Sequence, residues 1–193
     1  MRKEKLIELK KYVEKFKTIK IEDKNSSHNN FLKTKAYTFT LNSGDVITRE
    51  KIIKGNKDGS AVIIVPYIND EILLVIEPRV FTKSGVGVGF PAGYIEENEE
   101  PVNAALRELR EETGLVPESI EEVDSFYQDE GVSSAYNHIF IAYNCKKVYE
   151  QDLDKDEHIE YMRFTIDEAF ELEKNGYISG CNAKLALQKI KRK

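Results

Sequence analysis

Hydrophobic and polar positions repeat with changing periods along this chain, and each change marks an element. Over 1–18, Leu6, Ile7, Leu9, Tyr12, Val13 and Phe16 recur at helical spacing among lysines and glutamates. This predicts an amphipathic helix with one apolar stripe. Positions 23–31 (DKNSSHNNF) are polar and turn-rich and read as a linker. Positions 35–41 (KAYTFTL) alternate and run into Asn-Ser-Gly-Asp, a hairpin turn, with a second strand at 46–53. The runs 61–67 (AVIIVPY) and 71–76 (EILLVI) are almost continuously apolar, as in central strands covered on both faces, and Asn69-Asp70 predicts a hairpin between them. Positions 81–93 (FTKSGVGVGFPAG) read as a glycine-rich approach loop rather than a nucleotide fingerprint, because no Lys-Ser/Thr and no βαβ unit follow. A helix is predicted over 101–113, with Pro101 in its first turn and Gly114 at its stop. Strands are expected at 120–127, 138–143 and 159–165, and helices at 166–175 and 182–191.

A strand-rich middle with helices before, within and after it predicts an α+β domain, an α/β/α sandwich around a mixed sheet. The 193 residues fit one such domain at 34–193 behind an N-terminal helix and linker at 1–33. Charged residues make up 33% of the chain and the net charge is −5, with both signs interspersed. That excludes nucleic-acid binding by bulk charge; the basic run KIKRK at 189–193 reads as a solvated helix end. Cys145 and Cys181 lack CxxC spacing and suit free thiols in a reducing compartment. His28, His138 and His158 have no zinc-ligand spacing. The first 18 residues lack a signal peptide's continuous apolar core, and no run is long enough to span a membrane. Glu4, Glu8 and Glu14 argue for packing of that helix on the domain or on a partner subunit rather than on a membrane. The expectation is therefore a cytoplasmic protein without nucleic-acid or membrane partners.

Chemistry concentrates in 93–115, GYIEENEEPVNAALRELREETGL. On a helical wheel of about 100° per residue, Glu108, Glu111 and Glu112 share one side, while Val102, Ala105, Leu106 and Leu109 form an apolar packing face beside it. Arg107 stands four residues before Glu111, within ion-pair reach. Like charges one turn apart disfavour the helix by a few tenths, about 0.2–0.5 kcal/mol per pair, unless a cation intervenes. A hard divalent ion bound through carboxylates and substrate phosphates fits this composition. A solvated acidic face is the alternative, but seven fixed positions match by chance only roughly once in 10⁸ to 10⁹ windows at ordinary residue frequencies.

Gly93, Glu99, Arg107, Glu108, Leu109, Glu111, Glu112, Gly114 and Leu115 reproduce every defining position of the Nudix box, and the chain resembles a Nudix hydrolase. The resemblance implies an α/β/α sandwich, a Mg²⁺ or Mn²⁺ requirement, and hydrolysis of a nucleoside diphosphate linked to another group. It also implies metal ligation by Glu108 and Glu112, with Glu111 as a further ligand or nearby group. Arg107 becomes the orienting partner, and Glu99 pairs with Arg107 or joins the metal cluster.

Several features resemble the ADP-ribose pyrophosphatase branch. FPAG at 90–93 matches its entry to the box, which makes Ala92 a metal ligand through its carbonyl. Arg79 stands where the branch has Gln-Tyr-Arg, although Glu77 and Pro78 differ. Gly131 and Ser133 match the branch's post-box loop, but Glu130 replaces a proline and an acidic pair is missing. Arg79, Gly131 and Ser133 are thus expected at the substrate. Tyr37 and Phe39 are ordinary core aromatics or stack on an adenine. Glu157 is the expected general base, with Glu160, Asp156 and Asp154 behind it and Glu111 as a rival. The implied substrate is ADP-ribose or a related ADP-sugar. NADH, a dinucleoside polyphosphate, a GDP-sugar, a nucleoside triphosphate or a non-catalytic nucleotide sensor are the alternatives. The branch's habit implies a homodimer whose N-terminal segments complete the partner's site.

Overall fold

The computed structural model describes residues 1–22, 31–54 and 58–190. The linker expected at 23–31 therefore lies outside the described residues except for Phe31, as do His28 and the last three residues of the basic run. The helices are α1 (Lys3–Lys15), α2 (Pro101–Thr113), α3 (Ile166–Lys174) and α4 (Cys181–Lys189). The strands are β1 (Leu32–Thr40), β2 (Val46–Lys54), β3 (Ala61–Ile68), β4 (Glu71–Pro78), β5 (Val86–Gly89) and β6 (Ala92–Tyr94), followed by β7 (Leu115–Val116), β8 (Ser119–Tyr127), β9 (Tyr136–Tyr143), β10 (Lys146–Lys147) and β11 (Glu160–Phe164).

Strands β11, β4, β3, β9 and β8 lie side by side in a seven-stranded mixed sheet, with β3 and β9 parallel. The continuous apolar runs of β3 and β4 form its centre because both faces are covered. Ile63, Val65, Ile72 and Leu74 pack with Leu9 of α1, Leu172 of α3 and Leu187 of α4. Their neighbours Val62, Ile64, Leu73 and Val75 pack with Ala105 and Leu109 of α2. The expected α/β/α sandwich is the observed architecture. Leu9 is fully buried, so α1 packs on this chain's own core; Arg2 holds it through Glu168 Oε2 and Glu71 Oε1, each at 2.6 Å. Among the described residues no helix is long and apolar enough to cross a membrane.

The stretch 81–93 contains two strands where the sequence predicts a loop. After pairing at Tyr67↔Ile72 and Ile68↔Glu71, β3 and β4 part, and β5 pairs with β4 while β6 pairs with β3. Val86 and Val88 enter the core, and Gly87 between them sits where a large side chain approaches. A Cβ on Gly87 would stand 2.6 Å from Arg79 Cγ. Strands of four and three residues flanked by glycine carry too little local signal to be read without their partners. The hairpin β1–β2 forms its own two-stranded sheet, tied to the body by Ile52 N–H donating to Val132 C=O at 2.8 Å.

Candidate active site

Helix α2 begins and ends as its sequence predicts, and Gly114 adopts φ +68° at its C-cap. Its buried stripe is Ala104, Ala105, Glu108, Leu109, Glu112 and Thr113. The expected packing face needs correction: Val102 and Leu106 are 39% and 37% exposed. The helix is rolled so that Glu108 and Glu112 turn inward, and the small Ala104 packs in place of the two larger side chains. Two carboxylates of this helix are buried, while part of its aliphatic surface is left in water.

Bare backbone beneath α2 accommodates the carboxylates. A Cβ on Gly93 would lie 2.0 Å from both Cδ and Oε1 of Glu108, so glycine is required there. Next to it, Ala92 N–H donates to Glu112 Oε2 at 3.3 Å. Arg107 organises the rest. Its Nε and Nη2 donate to the two oxygens of Glu99 at 2.9 Å each, a bidentate pair. Nη1 donates to Glu108 Oε1 at 2.7 Å and to Glu111 Oε2 at 3.1 Å, and Nη2 also donates to Tyr94 C=O at 3.0 Å. Burial raises the Glu108 carboxyl against the pull of Arg107. Burial also pushes Glu112 well above the usual carboxylate range, and the charges of Glu77 and Glu108 add to the effect.

These groups line one cavity of about 910 Å³ together with Arg79, Ala92, Tyr94 and the acidic loop 152–158. Glu157 is exposed on that loop, and its Oε2 accepts Asp154 N–H at 3.0 Å. Glu111 and Glu157, the two rival bases, thus face the same space. The structure does not bring all expected residues together. Tyr37, Phe39, Gly131 and Ser133 line a separate groove between the β1–β2 hairpin and the loop after β8. Glu99 is taken by Arg107 and does not line the cavity. His138 pairs with Glu122 at 2.7 Å, while His158 sits on the cavity wall.

Several cavity residues escape a reading of the sequence. Glu77 is half-buried at the end of β4, where desolvation raises its carboxyl against Arg79 at 2.7 Å. Its signal was a lone acid closing the apolar run EILLVI. Lys54 reaches in from β2 and donates to Gln128 Oε1 at 3.1 Å; a Cβ on Gly59, which has φ +87°, would meet the Lys54 stem at 2.8 Å. Asn137 is fully buried and bridges Ala61 N–H and the Asn182 side chain. Nothing in the local sequence marks Lys54 or Asn137.

The donor set fits a hard divalent cation. Glu108 and Glu112 are buried carboxylates in an acid-rich cavity, and hydrogen bonds from Arg107 and Ala92 only partly compensate them. Among the described residues no three His, Cys, Asp or Glu side chains stand in a ready-made metal arrangement; Glu108 Oε1 accepts from Arg107.

The chain is similar to known proteins. A model of the NUDIX domain matches residues 57–180. ADP-ribose pyrophosphatase of Bacillus subtilis (strain 168) is 34% identical over 147 residues, covering 76% of this chain and 78% of that protein. Methanol dehydrogenase activator of Bacillus methanolicus is 31% identical over 175 residues, covering 89% and 90%. GDP-mannose pyrophosphatase of Cronobacter sakazakii (strain ATCC BAA-894) is 28% identical over 178 residues, covering 88% and 93%. In fold, the chain superposes on the crystal structure of an ADP compounds hydrolase with a TM-score of 0.72 at 21% identity, over 85% of this chain and 86% of that one. With the box helix, its stripped glycine and its buried glutamates in place, the chain belongs to the NUDIX family.

Proposed function

We propose that this cavity hydrolyses the pyrophosphate bond of an ADP-sugar-type nucleotide, ADP-ribose or a close relative, giving a nucleoside monophosphate and a phosphorylated remainder. The reaction class, hydrolysis of a pyrophosphate bond, follows from the family and from the relatives named pyrophosphatases. The observation that carries the site assignment is the inward-turned pair Glu108 and Glu112 above the bare Gly93.

Glu108 and Glu112, with Glu111 and the Ala92 carbonyl, would hold Mg²⁺ or Mn²⁺. A bound ion of this kind neutralises phosphate oxygens and makes a nearby water more acidic. Arg107 orients Glu108 and Glu111 and keeps Glu99 as its counter-charge. Glu157, tied to Asp154 N–H through Oε2, takes the proton of the attacking water onto its carboxylate; Glu111 is the rival for that role. Arg79 and Lys54 meet the substrate phosphates. Arg79 already has Glu77 as a carboxylate partner, whereas Lys54 donates to the neutral amide of Gln128.

The hairpin groove belongs to the same reading. Phe39, Leu41 and Val46 are 48%, 45% and 63% exposed on β1–β2, a sheet too small to be stable alone. In a homodimer this hairpin would bring Tyr37 and Phe39 to the partner's substrate. One set of assays tests the whole reading. Glu112→Gln should cost about 10²–10³-fold in kcat with the fold retained, by analogy with loss of one electrostatic catalytic group. Release of AMP from ADP-ribose should exceed release of the corresponding monophosphate from GDP-mannose or NADH. Full activity of Glu112→Gln, or preference for a guanine nucleotide, would reject the respective part.

A further inference from the structure

An α-helix leaves its last four carbonyls without partners inside the helix. In α2 each has one, and three partners come from a single segment that runs into the acidic loop. Arg110 C=O accepts Gly114 N–H at 2.7 Å, as in many helices that stop at glycine. Glu111 C=O accepts Asp152 N–H at 2.9 Å. Glu112 C=O accepts the side-chain amide of Gln151 at 2.7 Å, and Thr113 C=O accepts Lys147 Nζ at 3.0 Å. The same segment grips Gly114, whose carbonyl accepts Val148 N–H and Tyr149 N–H at 3.0 and 3.1 Å. A Cβ on Gly114 would stand 1.9 Å from Tyr149 O, so the contact is close enough to require glycine.

Within this strap Gln151 has a distinct place. Its amide nitrogen also donates to Ile159 C=O at 3.3 Å. One side chain therefore links the residue before the acidic loop, the residue after it, and the carbonyl of Glu112. The loop's own order is weak by comparison. Its internal links are Glu157 N–H to Asp154 C=O at 2.9 Å and the Glu157 carboxylate on Asp154 N–H. That carboxylate is held to Asp154 N–H through Oε2 alone, which leaves Oε1 for the water.

We infer that Gln151 is a positioning residue for the reaction: it holds both ends of the acidic loop 152–158 against the last turn of α2, and so fixes the distance from Glu157 to the α2 carboxylates. The inference rests on the proposed role of Glu157. A glutamate at 151 cannot serve, because a carboxylate cannot donate to two carbonyls. Displacement of a reacting group by about 1 Å can cost on the order of 10²-fold in rate, so the loss should appear in kcat. Substrate contacts outside the loop are untouched, and KM should stay within about twofold on the same ground.

The test uses the full chain and the variants Gln151→Met, which keeps volume and removes the donors, and Gln151→Glu. Each is measured alone and combined with Glu157→Gln, with ADP-ribose and Mg²⁺ in the assay and hydrogen exchange of the free protein beside it. The expected result is a kcat loss of at least about tenfold in either Gln151 variant, with KM held. No further loss should occur when Glu157 is already Gln, since residues that act through one another are non-additive. Amides of 152–158 should exchange faster in Gln151→Met, while those of 105–111 do not change. Wild-type kcat in Gln151→Met, independent losses that simply add, or unchanged exchange over 152–158 would overturn the inference. Should Glu157→Gln alone keep full activity, the base assignment falls. The Gln151 inference rests on that role and falls with it, whereas wild-type kcat in the Gln151 variants beside an impaired Glu157→Gln overturns the inference alone. A variant that does not fold is replaced by Gln151→Leu, read by the same exchange criterion.

Discussion

The box helix and the β1–β2 hairpin are opposites in the same molecule. On α2 the carboxylates of Glu108 and Glu112 are buried, and the aliphatic Val102 and Leu106 are partly in water. On the hairpin Phe39, Leu41 and Val46 are exposed, and no residue falls in the fully buried class. Buried charge needs partners that the protein must supply. Arg107 and Ala92 N–H supply part of them within one chain. Exposed apolar surface needs cover, and this chain leaves much of the hairpin without it. The box is thus held by groups of its own chain, whereas the hairpin keeps apolar side chains in water.

Three experiments break or sharpen this contrast. The largest effect is expected from Gly93→Ala, because its Cβ would enter the space of the Glu108 carboxyl. Displacing Glu108 should lower kcat by about 10²-fold, and a thermal melt should show whether the loss is local. Near-normal kcat in a folded Gly93→Ala would mean that the position of Glu108 is not decisive. A smaller effect is expected from the double variant Tyr37→Ala, Phe39→Ala. If the hairpin completes a partner's site, KM should rise about tenfold, some 1.4 kcal/mol, with kcat held. Light scattering of the same variant reports whether dimerisation is weakened. An unchanged KM would make the hairpin a bystander and the box self-sufficient.

The smallest effect concerns the anchor of α1. Arg2 and the capping of α3 hold the Glu168 carboxyl down at about 2. A carboxyl depressed in the folded state contributes stability above its unfolded value, and that contribution is lost as pH falls from about 4.5 towards 2. The shift sets an upper bound of about 3 kcal/mol, reduced by screening because the Arg2 side chain is 41% exposed. Glu168→Gln should lower the melting temperature at pH 7 and flatten its fall between pH 5 and 2. A parallel curve for the variant would assign the acid sensitivity to other groups.

Much of the architecture was legible because its signals are local. The unbroken apolar runs of β3 and β4 and the Pro101 start and Gly114 stop of α2 are set by neighbours in sequence. Strands β5 and β6 were hidden because they exist only through the fork between β3 and β4. The roll of α2 was misread for a related reason. A wheel separates acids from aliphatics but cannot say which group faces a cavity.

The amino-acid sequence by itself determined the family, the reaction class and the carboxylates on one helix, since fixed spacing on α2 is a one-dimensional property. Only the tertiary structure decided which side of that helix is inside and that Glu99 belongs to Arg107. Long-range contacts likewise place Glu77 and Lys54 in the cavity and put Tyr37 and Phe39 outside it. These depend on groups far apart in the chain whose approach is settled by packing and desolvation, and no window of neighbouring residues encodes either.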